Sequence, residues 1–154
     1  MKLVTYNDSY LDILSQLLYD YMLEMEGKCI GSTHYAINQM YNNGRHIYLL
    51  LNDSDDVIGF TIFYINNQYG LLPPTAVNEY VYLKPNYRTS IATKYLLLQT
   101  LEYCSYFDYD LYGYTYNESS NIKNSKIVGG KEIGTIFKFD IGTIKNKLKR
   151  LRRK

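Results

Sequence analysis

The 154 residues suffice for one domain with a sizeable core, and 46% hydrophobic with 21% charged residues excludes an intrinsically disordered chain. No apolar run approaches the roughly 18 residues of a membrane span, and the N-terminus lacks a signal-peptide pattern. Two distant cysteines, Cys29 and Cys104, form no disulfide framework and no metal-ligand spacing. These features predict a cytoplasmic protein without a membrane partner.

The net charge of +2 is unevenly distributed along the chain. Lys145–Lys154 reads KNKLKRLRRK and is almost wholly basic. We therefore predict a single domain over residues 1–143, followed by a basic C-terminal tail over residues 144–154. Such a tail is either a solvated terminus or a contact for nucleic acid, an acidic partner or an anionic surface.

The N-terminal quarter predicts a strand followed by a helix. Lys2–Tyr6 alternates weakly, as a short strand does. A helix is expected to begin near Tyr10, with Asp8 or Ser9 as its N-cap, and to end near Gly27. Its apolar positions recur at helical spacing: Leu11, Leu14, Leu17, Leu18, Met22 and Met25.

The middle of the chain predicts a shorter helix and three strands. The helix is expected over Ser32–Met40. The runs HIYLLLN and VIGFTIFYIN, separated by Asp53–Asp56, indicate a hairpin because both are rich in β-branched and aromatic residues. After a loop, Val77–Leu83 predicts a third long strand.

The C-terminal half predicts a long helix over Ser90–Tyr106, a strand over Tyr109–Tyr116, a short helix opening at Asn117 and a last strand over Gly134–Phe139. The long helix carries a predicted apolar stripe of Ile91, Tyr95, Leu98, Leu101 and Cys104. The resulting order is β-α-α-β-β-β-α-β-α-β. It predicts an α+β domain on a mostly antiparallel sheet flanked by helices, whose one parallel pair is joined by the long helix.

The segment that joins Val77–Leu83 to the long helix is the candidate anion site. An extended strand here delivers the chain to a helix N-terminus, where free backbone N–H groups and the positive end of the helix dipole attract an anion. Arg88 adds a cation at that turn, although a solvated turn arginine is the alternative. The hydroxyls of Thr89, Ser90 and Thr93 either donate to phosphate or cap the helix.

The same segment resembles the GNAT superfamily of acyl-CoA-dependent N-acetyltransferases, as a divergent member. In that family the central strand is followed by Pro and then by a run similar to Tyr-Arg-Gly-x-Gly-Ile-Gly-x-x-Leu-Leu. Here LKPNYRTSIATKYLL aligns without gaps and keeps Pro85, Tyr87, Arg88, Leu96 and Leu97. Other residues stand where the family has glycine: Thr89, Ile91 and Thr93. A weaker similarity covers Asn117–Phe139, where Gly129–Gly134 resembles a Gly-Phe turn.

The resemblance implies a fold of this superfamily with a central strand–helix–strand phosphate-binding unit, and acetyl-CoA as cosubstrate. Backbone groups of Val81 and Leu83 are implied to pair with the pantetheine arm and the thioester, and Asn117 to contact the ligand. The implied pyrophosphate contacts are Arg88, Thr89, Ser90, Ile91, Ala92 and Thr93.

The resemblance also implies two catalytic positions. Glu79, on the central strand, is where members often carry the base that deprotonates the amine, the alternative being a carboxylate in a surface salt bridge. The family's Tyr, which protonates the departing CoA thiolate, corresponds to Ser125 or Lys126, so Ser125 is the candidate acid position.

Three functional hypotheses remain open. The first is an N-acetyltransferase that moves acetyl from acetyl-CoA to an amine acceptor by direct transfer, as a monomer or homodimer. The second, motivated by the absent glycines and Tyr, is a catalytically inactive binding or structural module that contacts nucleic acid or an acidic partner through its basic tail. The third is an acetyltransferase whose acceptor is a protein or charged tRNA docked by that tail.

Overall fold

The computed structural model describes residues 1–66, 74–107, 110–114, 130–133 and 136–139. The helices are α1 (Leu11–Glu26), α2 (Thr33–Asn42) and α3 (Ser90–Phe107), with 3-10 turns at Asp8–Tyr10 and Pro85–Tyr87. The strands are β1 (Lys2–Thr5), β2 (His46–Leu51), β3 (Val57–Asn66), β4 (Thr75–Leu83), β5 (Asp110–Tyr114), β6 (Gly130–Ile133) and β7 (Ile136–Phe139). Among these residues, no helix combines the length and hydropathy needed to cross a bilayer.

The strands form one seven-stranded sheet in the order β1-β2-β3-β4-β5-β7-β6. The pairs β1/β2, β5/β7 and β6/β7 are antiparallel, whereas β4 and β5 are parallel. This arrangement confirms the predicted α+β class, the mostly antiparallel sheet and the parallel pair joined by the long helix.

The end of the sheet contains a strand that the sequence interpretation missed. The resemblance predicts a turn at Gly130–Ile133, but this segment forms β6 and pairs with β7 from Gly130↔Phe139 to Ile133↔Ile136. The backbone hydrogen bonds of this antiparallel ladder stabilise the segment as a strand despite its glycine. The predicted short helix from Asn117 and the basic tail of residues 144–154 lie outside the described residues, so the proposed domain boundary stays a prediction.

The described chain forms two compact units. The first comprises Met1–Ile62 and Tyr80–Leu96, and the second comprises the described parts of Phe63–Glu79 and of residues 97–154. The first unit contains α1, α2 and the segment from the end of β4 to the first turns of α3, which is the candidate anion site.

Two apolar clusters stabilise the first unit. The larger one has fully buried residues from both N-terminal helices and the sheet: Leu14, Leu17, Ile37, Leu49, Phe60 and Ile62. Tyr21 of α1 makes edge contacts with the rings of Phe60, Tyr80 and Tyr82. The smaller cluster contains Leu50, Ile58, Leu83, Ala92 and Leu96. Because Leu83 ends β4 and Ala92 lies in the first turn of α3, this cluster fixes the helix start beside the strand end.

The first helix begins differently from the prediction. Neither Asp8 nor Ser9 is its N-cap, since that position is held by Tyr10, which makes no side-chain capping bond. Asn7 instead caps the 3-10 turn at Asp8–Tyr10, where its side chain accepts from the Ser9 amide at 3.0 Å. After this turn, α1 starts at Leu11. The predicted end is confirmed, since Gly27 adopts φ 70° and donates to the Leu23 carbonyl at 3.0 Å.

The predicted apolar stripe of α3 is wrong at its N-terminal end. Ile91 is 56% and Tyr95 38% exposed, whereas the buried row with four-residue spacing runs through Ala92, Leu96, Thr100 and Cys104. Small Ala92 packs closely against Leu83 and Ile58, and this contact sets the rotation of the helix. The larger neighbouring Ile91 is consequently turned to solvent.

The two cysteines are expected to differ in thiol reactivity. Cys104 is fully buried, and burial raises the pKa of its thiol to about 12, so little thiolate forms. Cys29 is partly exposed. In a thiol-titration assay with a disulfide reagent, the native chain should react at Cys29 and the unfolded chain at both. A native Cys29→Ser variant that still reacts rapidly would contradict this expectation.

Gly59 of β3 lies where the chain leaves no room for a side chain. A Cβ atom there would lie 2.5 Å from the Tyr82 carbonyl oxygen and 2.7 Å from Cδ2 of Leu83. Gly59→Ala must therefore displace the backbone of β4, and we expect it to lower the free energy of unfolding by about 1–3 kcal/mol. Urea denaturation measures the change, with Thr5→Ala at an exposed position of β1 as a control. A Gly59→Ala variant as stable as the wild type would refute the close approach.

Candidate functional site

The chain passes from β4 to α3 through a tight turn. The Lys84 amide donates to the Ile58 carbonyl at 2.9 Å, so the chain stays paired just beyond the strand end. The Tyr87 amide then donates to the Lys84 carbonyl at 2.8 Å, closing the 3-10 turn that starts at Pro85. After Arg88 and Thr89, α3 begins at Ser90. The helix N-terminus therefore lies close to the end of β4, as the sequence predicts.

Thr89 caps α3. Its Oγ1 atom accepts from the Ala92 amide at 3.1 Å, and its carbonyl accepts from both the amide and the hydroxyl of Thr93 at 3.0 Å. Helix geometry leaves the amides of Ser90 and Ile91 without intrahelical partners, as at any helix start. Both threonine hydroxyls thus bond the helix itself, and their part in phosphate binding stays a prediction.

Arg88 is held by three different groups. Its Nε donates to the Leu83 carbonyl at 3.0 Å, its Nη2 donates to the carboxylate of Glu24, and its guanidinium carbon lies 5.6 Å from the Tyr82 ring centroid. The hydrogen bond that Arg88 donates to Glu24 raises the pKa of Arg88 above its ordinary value. The side chain is still 41% exposed, so the guanidinium is oriented and yet accessible to an anion.

The other predicted site residues lie in different environments. In the first unit, Val81 is 36% exposed and Leu83 is buried. In the second unit, Glu79 is half-buried and follows directly after the last described β4–β5 pair, Asn78↔Gly113. Three predicted positions cannot be compared, since the side chain of Ser90 and all of Asn117 and Ser125 lie outside the described residues.

Sequence reasoning missed Glu24 and Tyr82. Glu24 stands among alternating polar and apolar residues at the end of α1, and nothing in that pattern points to a partner 64 residues away. Tyr82 is one of 19 tyrosines, which makes any single one uninformative. Alternation along β4 was the available signal, because Tyr80 and Tyr82 share the strand face that meets Tyr21.

The whole fold is similar to those of solved acetyltransferases. A probable acetyltransferase matches with a TM-score of 0.76 and 20% identity, over 87% of this chain and 92% of its own. A GNAT-family acetyltransferase from Staphylococcus aureus Mu50 matches with a TM-score of 0.72 and 15% sequence identity, over 91% of this chain and 98% of the acetyltransferase. A GNAT-superfamily phosphinothricin acetyltransferase from Sinorhizobium meliloti, in complex with acetyl-CoA, matches with a TM-score of 0.72 and 17% sequence identity. This match covers 86% of this chain and 76% of the acetyltransferase. This chain has the GNAT fold.

The GNAT fold is shared without a detectable sequence match. No family model and no curated protein matches the sequence. The likeness therefore consists of the three-dimensional structure, together with the motif residues Pro85, Tyr87, Arg88 and Leu96. Of these, Pro85 opens the turn before α3, and Leu96 is fully buried in the cluster that holds α3 against β4.

Proposed function

We propose that this protein is an acyltransferase that uses acetyl-CoA and acetylates an amine by direct transfer. The observation that carries the proposal is the turn from β4 to α3 within the GNAT fold. There an oriented, accessible Arg88 stands beside a helix N-terminus with free amides, which is a favourable arrangement for a pyrophosphate.

In this proposal the pyrophosphate binds the amides of Ser90 and Ile91 at the start of α3, with Arg88 contributing its unused N–H donors. Thr89, Ile91 and Thr93 stand where the resembled family has glycine, and their side chains are accommodated in two ways. Those of Thr89 and Thr93 bond the helix backbone. Ile91 points to solvent, 56% exposed, where it can move aside from a phosphate. Backbone groups of Val81 and Leu83 are proposed to bind the pantetheine arm.

Direct transfer requires a side chain of this protein to act as the base that deprotonates the amine. Glu79 takes a proton from the acceptor amine, whose nitrogen attacks the thioester carbonyl carbon. The C–N bond forms, the C–S bond breaks, and the CoA thiolate leaves with a proton from water or from the Ser125 position. The protein's main contribution is to orient amine and thioester against each other.

Thermal melting with acetyl-CoA tests the proposal. A ligand at about 100 times its Kd stabilises the folded state by about 2.7 kcal/mol, which for a chain of this size raises Tm by roughly 5–10 °C. We expect such a rise for the wild type and a smaller one for Arg88→Gln. An unchanged Tm at millimolar acetyl-CoA would refute the proposal. Release of free CoA thiol in the presence of a panel of amines then identifies the acceptor.

Glu24 is expected to reduce the affinity for CoA. Glu24→Gln keeps an acceptor for Arg88 and removes a negative charge beside the proposed phosphate site, while Leu83 and Tyr82 continue to orient the arginine. Because the pair is about two-fifths exposed, the gain should be modest, up to about fivefold in Kd, and should diminish with added salt. Isothermal titration with CoA measures it, with Glu26→Gln on the same helix as control. An affinity that is unchanged or weaker would contradict this role.

A further inference from the structure

A half-open cleft lies within the first unit, separate from the α3 turn. Its volume is about 220 Å³. At about 30 Å³ for each water-sized group, this accommodates on the order of seven non-hydrogen atoms. Its lining combines apolar side chains with a few hydroxyl and thiol groups: Leu18, Met22, Cys29, Ile30, Ser32, Thr33, Ala36, Met40 and Tyr80. Among the residues that the structure describes, this lining includes no charged side chain.

Behind this cleft, a chain of hydrogen bonds connects Thr33 to the surface. The Thr33 hydroxyl lies 2.5 Å from Oγ of Ser15, which is only 4% exposed. Ser15 Oγ lies 2.9 Å from Nδ1 of His34, and Nε2 of the same ring lies 2.9 Å from the carboxylate of Asp12. Four side chains from α1 and α2 therefore form one continuous network.

When the His34 ring is neutral, the donors and acceptors of this network can be assigned in order. The carboxylate of Asp12 has no proton to give, so it accepts from Nε2 of His34. In the neutral ring Nδ1 is then an acceptor, and Ser15 must donate to it. Ser15 Oγ consequently accepts from the hydroxyl of Thr33. With its proton committed to Ser15, Thr33 can offer the cleft only a hydrogen-bond acceptor.

We propose that this cleft binds a small primary monoamine, with the apolar group among the methionines and the amine N–H donating to Thr33. Since α2 begins at Thr33, the positive end of its dipole lies at the same wall and favours the uncharged amine over the ammonium. An uncharged amine is the nucleophilic form. That the bound amine is the acetyl acceptor rests on the proposed function, whereas the binding itself does not.

The lining also argues against polycationic ligands. A polyamine or aminoglycoside carries several ammonium groups, and burying them requires paired carboxylates. Within the part of the chain that the structure describes, the cleft lining contains none. The cleft thus selects one amine on a short apolar body.

Methyl NMR on the full chain tests the inference without CoA. The protein has four methionines: Met22 and Met40 line the cleft, whereas Met1 and Met25 do not and serve as internal controls. Titration with 3-methylbutylamine at mildly alkaline pH should shift the methyl signals of Met22 and Met40 only. The comparison ligands are 1-methoxy-3-methylbutane, which has no donor, and putrescine, which has two amines. Both should bind more weakly.

Variants at Thr33 test whether its hydroxyl group binds the amine. Thr33→Val keeps the shape but removes the hydroxyl, and should weaken amine binding about tenfold. Thr33→Ser should retain it, and melting curves verify that both variants fold. Equal binding of the ether and the amine, equal binding by Thr33→Val, or no shift at Met22 and Met40 would each overturn the inference.

A separate arm adds acetyl-CoA to the amine-bound protein. Methionine shifts without any CoA binding would preserve the amine site and refute the acetyltransferase proposal. CoA binding without the methionine shifts would refute the amine site and leave the acetyltransferase proposal standing. The two proposals therefore fail by different observations.

Discussion

Glu79→Gln is expected to lower kcat by about 10²–10⁴-fold, the usual contribution of a positioned general base. Glutamine occupies the same volume and keeps hydrogen-bonding capacity, but it cannot accept the proton of the attacking amine. Because Glu79 is half-buried on β4, the isosteric change should leave the fold intact. The loss should therefore appear in the chemical step rather than in stability.

The measurement is thiol release from acetyl-CoA with the acceptor found by the amine panel. Titration calorimetry with CoA should give the same Kd for Glu79→Gln as for the wild type. Glu26→Gln, at the exposed end of α1, provides the matched carboxylate control with unchanged kcat. If Glu79→Gln kept wild-type kcat, the assignment of the base would be wrong.

Phe60→Ala is expected to lower the free energy of unfolding by about 3–5 kcal/mol. Phe60 is fully buried on β3, and its ring centroid lies 5.9 Å from that of Tyr82 and 6.4 Å from that of Tyr21. Alanine would leave a cavity where strand and helix side chains meet. A loss of this size is a large part of the total stability of a typical domain.

Urea denaturation with intrinsic fluorescence or circular dichroism measures the loss. Tyr35→Ala on α2, where the ring is 66% exposed, should change stability by less than about 0.5 kcal/mol. Phe60→Leu should lie between the two because it refills part of the cavity. Equal stability of Phe60→Ala and Tyr35→Ala would show that Phe60 is not part of the core.

The sequence predicts the fold well where local signals are strong. Gly27 ends α1 because its left-handed φ suits glycine, and the aromatic and β-branched residues of β3 and β4 mark strands by their composition. The parallel β4/β5 pair followed from the helix between the two strands. These features depend on neighbouring residues, which is why the sequence predicts them.

Features set by distant contacts were not predicted. The rotation of α3 depends on Ala92 packing against Leu83 and Ile58, and strand β6 forms because β7 pairs with it. The partner of Arg88, Glu24, is brought to it by the packing of α1 against the sheet. Each of these outcomes is decided by tertiary contacts, on which local propensity carries no information.

For the candidate site, the sequence predicts the order of strand, turn and helix but not the hydrogen bonds that the side chains make. Pro85, Arg88 and the start of α3 lie as the motif implied. The sequence left open whether the hydroxyl of Thr89 caps the helix or binds phosphate, and the structure has it accept from the Ala92 amide. The network from Asp12 to Thr33 has no sequence motif, because its members meet only when α1 and α2 pack together.

A crystal structure determined with acetyl-CoA tests the central claim most directly. The account predicts electron density for the pyrophosphate within hydrogen-bond distance of the amides of Ser90 and Ile91 and of the guanidinium of Arg88. Its pantetheine arm should run along the backbone of Val81 and Leu83. Density for acetyl-CoA at another place, or none at a saturating concentration, would contradict the account.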